Sequence, residues 1–90
     1  MQTETQFTGT VLVAIDATFS VEITVTDKWN SFVVARSSLF QNWSVVSRHR
    51  SYELALKAAG TTPAFSVRVV SFQNTATNEP VVYNPSMRYN

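Results

Sequence analysis

His49 is the only histidine in the chain, and it stands inside the triplet Arg48-His49-Arg50, directly ahead of Ser51. A Ser-His-Asp arrangement would need this ring within hydrogen-bond reach of a serine and of Asp16 or Asp27. No nucleophile-elbow pattern accompanies it, and serines are common throughout the chain, so they read as polar surface. The acids Glu4, Asp16, Glu22, Asp27, Glu53 and Glu79 are scattered singly, without the spacing of a metal site. The absence of cysteine removes thiolate zinc sites, iron–sulfur clusters, disulfides and a cysteine nucleophile together. With Gly9 and Gly60 as the only glycines, there is no phosphate-cradling loop or dinucleotide fingerprint. The expectation is a protein that is not an enzyme and uses no metal or cofactor.

Binding chemistry has more to work with. Arg48, His49 and Arg50 lead into a predicted helix start, where the macrodipole and free amides already favour an anion. A phosphate or carboxylate held between the arginines and the amides of Tyr52 and Glu53 would suit that site. The simpler reading leaves the arginines in solvent, with Glu53 balancing Arg50 and Lys57. Arg36 or Arg68 could join such a surface if their strands present them on the same side. A second feature is aromatic: Trp29 in a turn, Phe40 in a loop, and Tyr83 and Tyr89 near the end lie where a core would not obviously claim them. Aromatics in loops often mark contact surfaces, and otherwise fold back to plug the edges of a small core. Nucleic-acid stacking platforms interleave aromatic and basic residues in central strands, a pattern not found here.

The elements that position these residues follow from periodicity. Phe19, Val21, Ile23 and Val25 alternate with polar residues, the pattern of a strand with one wet side. Val11, Val13 and Ile15 form a more apolar strand just before it, separated by Asp16-Ala17-Thr18, so the two should pair as a hairpin. Asp27-Lys28-Trp29-Asn30 is a turn by chemistry, followed by a strand over 31–36, a loop over 38–42 and a strand over 43–48. The period then changes to that of a helix: Tyr52, Ala55, Leu56 and Ala59 share a stripe about nine residues long. Ser51 is its predicted N-cap and Gly60 its terminator, with Pro63 preventing resumption. Phe65, Val67 and Val69 return to strand, 74–80 is loop, and Val81-Val82-Tyr83 is a short edge strand.

The predicted architecture is α+β: an antiparallel β-sheet of about five to six strands, in the order β-β-β-β-α-β, with one short helix packed on one face. One helix cannot cover a whole sheet, so positions such as Leu12, Val33 and Val46 are expected to stay partly exposed or to be covered by another chain. The 90 residues form one domain, with 1–6 expected to be disordered and 84–90 a C-terminal tail or arm. That tail is too apolar for an ordinary disordered end, and either pairs with its own sheet or is exchanged with a second copy.

Charged residues make up 14% of the chain and the net charge is +1, which gives no bulk case for nucleic acid or an anionic membrane. No run reaches the roughly 18–20 apolar residues of a membrane span, and the first residues lack the pattern of a signal peptide. A cytoplasmic or virion-associated location is therefore expected. Asn42-Trp43-Ser44 matches a glycosylation pattern, which carries no weight without secretion. At the level of class only, the chain resembles small accessory proteins of phages and mobile elements. The expected partner is a protein or a second copy of the chain, with a homodimer formed through the tail or the open sheet face. The alternative is nucleic acid or another polyanion at Arg48, His49 and Arg50.

Overall fold

Alternation at Val11, Val13 and Ile15, and again from Phe19 to Val25, makes two strands joined by a tight turn. In a computed structural model, which describes residues 8–36, 42–64, 66–73 and 79–84, these are β1 (Gly9–Ala14) and β2 (Ser20–Val25). They pair antiparallel, with Val11 opposite Ile23 and Val13 opposite Val21. Asp16 builds the turn: its Oδ1 accepts from the amides of Thr18 and Phe19, each at 2.8 Å. Gly9 enters β1 at φ 139°, a backbone conformation that favours glycine.

The next turn uses a different residue from those the sequence singles out. Thr26 lends its hydroxyl to the amides of Lys28 and Trp29, at 3.2 and 3.1 Å, so the bend rests on a threonine rather than on Asp27 or Asn30. β3 (Ser31–Arg36) follows, then β4 (Ser44–His49), α1 (Tyr52–Ala59), β5 (Ser66–Ser71) and β6 (Val81–Tyr83). Among the described residues all strand pairs are antiparallel and there is one helix, the α+β fold predicted. The expected disorder of 1–6, and all of the tail beyond Asn84, lie outside the described residues.

The strands divide between two sheets. β1 and β2 form one by themselves, while the other runs β4-β3-β5-β6. The β4-α1-β5 connection steps over β3, and α1 lies against β3, β4 and β5. The hairpin covers the opposite face. Val13, Val21, Ile23 and Val25 pack there with Phe32, Val34, Trp43, Val70 and Phe72, and Phe32 meets Phe72 edge to face at 6.1 Å. On the helix side, Ala55 and Ala59 close over Val33 and Val69. The four-stranded sheet is thus the middle of three layers, and its face away from the helix is covered by the chain's own hairpin. Ser31 through Ala35 are all buried, as the uninterrupted apolar run of a strand covered on both sides requires. Val33, expected at a partly exposed position, is fully buried under the helix, whereas Leu12 is 68% and Val46 49% exposed.

The helix begins on a side-chain cap and ends on backbone amides joined by threonine hydroxyls. Ser51 accepts from the amide of Leu54 at 3.3 Å, as an N-cap should. At the other end Gly60 keeps a helical backbone, φ −66°, and the carbonyl of Ala58 accepts from the amide of Thr61 and from the hydroxyls of Thr61 and Thr62.

Candidate interaction surfaces

β4 carries its side chains alternately to the two faces, and this separates the basic triplet. Arg48 lies opposite Phe32 and His49 opposite Ser31, so Arg48 falls on the hairpin side and His49 on the helix side. Arg48 and Lys28 both lie over the ring of Trp29, at 5.5 and 5.3 Å from its centre, and both cations are exposed. Trp29 itself is half-buried and packs on the larger core, so it is a core edge and a cation platform at once. Arg50 follows the strand, exposed.

The amides predicted to cradle an anion are partly occupied. Tyr52 donates its N–H to Oε1 of Gln73 at 2.6 Å, and Leu54 donates to Ser51. Gln73 is in turn held by its own amide on Ser71, whose hydroxyl meets that of Ser31 at 2.9 Å within the sheet. Of the two amides predicted to cradle an anion, that of Tyr52 is thus taken by one of the protein's own side chains.

His49 comes within 2.8 Å of the hydroxyl of Ser47 through Nε2. Burial holds its imidazole below the ordinary value near 6.5, favouring the neutral ring. A nucleophilic pair would also need a carboxylate on Nδ1, and among the described residues none is placed there. Asp16, one of the acids considered, is engaged at Trp43, and no group of three or more His, Asp or Glu among the described residues could hold a metal.

A second cation–aromatic cluster lies at the other end of β3. Arg36 and Arg68 both stand over Trp43, at 5.5 and 5.3 Å, and the indole N–H donates to Oδ2 of Asp16 at 3.0 Å. That bond, then the amides of Phe19 and Thr18, hold the Asp16 carboxyl below its usual value near 3.8; desolvation opposes them and Arg36 adds to them. Of seven Lys and Arg residues, Lys28, Arg36, Arg48 and Arg68 therefore lie over tryptophans. Arg36 and Arg68 thus meet at Trp43 rather than with Arg48 at Trp29, and the Trp43–Asp16 bond beside them spans 27 residues and has no local signature.

Tyr83 is half-buried on β6, its ring 4.3 Å from that of Tyr52, and β6 pairs with β5 of its own sheet. Phe40 and Tyr89 lie outside the described residues. An open groove of about 430 Å³ runs between β3, β4 and the segment after the helix, lined by Ala35, Arg36, Ser44, Val46 and Pro63 among others. Among the described residues no helix is long and apolar enough to cross a membrane.

The surface that pattern reading passed over is a strand edge. Among the described residues the sheets have four, on β1, β2, β4 and β6. β2 presents the exposed carboxylate of Glu22; β4 is broken by a register shift beside Val33 and carries Arg48; β6 is three residues long and follows Pro80. Each is a known way to blunt an edge. β1, Gly-Thr-Val-Leu-Val-Ala, has no charge, proline or bulge. Ile15 donates to the Phe19 carbonyl at 3.0 Å, so the alternation of antiparallel pairing turns the N–H and C=O groups of Thr10, Leu12 and Ala14 away from β2. Among the described residues no strand takes them up. Leu12 stands beside them as the most exposed large hydrophobic side chain among the described residues. Comparison with protein-family models, with curated proteins and with solved structures finds no match for this chain.

Proposed function

We propose that this chain is a non-enzymatic protein-interaction module that binds through the open edge of β1, taking up an extended segment of its partner as an added strand. The unblunted edge carries the reading: main-chain groups of Thr10, Leu12 and Ala14 supply affinity, and the Leu12 side chain supplies an apolar anchor. The three-layer fold supports it, because the hairpin that offers the edge is fixed by the larger core and presents its backbone without rearrangement. The proposal extends to an accessory role of the kind found in phages and mobile elements, in the cytoplasm or the virion.

A photo-reactive phenylalanine analogue placed at Leu12 tests this, with the same group at Glu22 as the control. The expected outcome is a protein adduct from position 12 and little from 22. Adducts at both positions alike, or none at either, would remove the proposal.

One observation favours polyanion binding as a second reading: exposed Lys28 and Arg48 flank the same ring, Trp29, where a base or phosphate could be held. It predicts nucleic-acid binding that weakens steeply with salt and disappears in the Arg48→Glu, Arg50→Glu double variant.

A further inference from the structure

Resting on that reading of the β1 edge, we infer that the strand it takes up is β1 of a second copy, paired antiparallel about a two-fold axis at Leu12. A partner strand must match three properties of this edge, and β1 matches them all. Its hydrogen-bonding groups are self-complementary: with Leu12 opposite Leu12 of the second copy, the outward N–H and C=O of each Leu12 meet those of the other, and Thr10 meets Ala14 on either side.

Its charge is complementary in the simplest sense. Gly9–Ala14 contains no ionisable side chain, so the pairing sets no like charges opposite each other and strips no carboxylate or ammonium of water. The other free edge of the hairpin does not offer this. A β1 edge laid against β2 of a second copy would bring exposed Glu22 against an uncharged strand, and would leave further edges open for continued growth. Pairing of β1 with itself closes after two copies and removes the one edge among the described residues that lacks a blunting device.

The side chains fit as well. On the outer face Leu12 gains an apolar neighbour in its symmetry mate, flanked by the smaller Thr10 and Ala14. On the inner face half-buried Val11 comes opposite buried Val13 of the second copy, which extends the apolar layer already resting on the four-stranded sheet. The two hairpins become one sheet running β2-β1-β1-β2.

Sedimentation of the full chain, combined with hydrogen exchange, tests the inference. The expected species has twice the 10.1 kDa chain mass, with slow exchange at the amides of Thr10, Leu12 and Ala14. Leu12→Lys should return it to the monomer mass and speed exchange at those three amides, while Glu22→Lys should leave the dimer intact. Leu12 is exposed, so the lysine variant should fold, and Ala14→Lys provides an independent second disruption on the same edge. A monomer at all concentrations with rapid exchange at these amides would overturn the inference, as would a dimer that survives both lysine variants. A monomer whose Leu12 photo-adduct contains a different protein would overturn self-pairing and leave the edge-binding proposal standing.

Discussion

At the scale of single residues, the tryptophans organise the charge. Trp29 and Trp43 occupy the two ends of β3, and each is overlaid by two cations. This explains how so lightly charged a chain places its arginines: aromatic faces, as well as carboxylates, receive them. His49 follows another rule. In the unfolded chain its ring takes up a proton near pH 6.5, and in the folded chain only at lower pH. Where the two states differ, the unfolded chain holds more protons, so stability falls as pH drops through about 6.5. Thermal melts at about pH 7.5 and about pH 5.5 should show a lower midpoint in acid, and His49→Gln should shrink the difference. An unchanged difference in that variant would move the effect to another group. None of this local geometry beyond the alternation of β4 could be read from the triplet itself, since the partners of Arg48 and His49 come from a turn and from the same strand face.

At the scale of elements, the helix shows what a sequence window reveals and what it hides. The stripe of Tyr52, Ala55, Leu56 and Ala59 and the Ser51 cap are local, and the structure places them as periodicity and capping chemistry require. The Gln73 acceptor on the first helical amide lies 21 residues away, so no local pattern announces it. Ser51→Ala should cost about 1 kcal/mol of stability. Gln73→Ala should cost a similar amount, about 1 kcal/mol, although Gln73 lies outside the helix. Denaturant titrations of the two variants check this, and a silent Gln73→Ala would show that water replaces the contact without loss. The threonine hydroxyls on Ala58 were also hidden, because a glycine in the terminator position conceals that its backbone can stay helical.

At the scale of the whole molecule, six strands and one helix were legible, and their division into layers was not. Alternation in β1 and β2 says that one face is buried without saying against what. The clue was in β3, whose run from Phe32 to Ala35 has no wet side and therefore needs cover on both faces. Because that sheet is shared, its two cores should fail together. Phe32→Ala on the hairpin side should cost about 3–5 kcal/mol and Val69→Ala on the helix side roughly 2 kcal/mol. Each should shift one common transition seen by far-ultraviolet and tryptophan signals. Separate transitions for the two signals would make hairpin and helix independent units.

The central position of β3 also sets the order in which the molecule can form. Its two neighbours are β4, close in the chain, and β5, whose Ser71 pairs with Ser31 across 40 residues. Closure of that long loop must precede the contacts that reward it, which makes folding slow for a chain of this size. Until β5 arrives, β3 lacks its second neighbour and the helix half of its floor. During synthesis the apolar strands are therefore made before the segment that shelters them, and a chain stalled or truncated ahead of Ser66 would be the species most prone to aggregate.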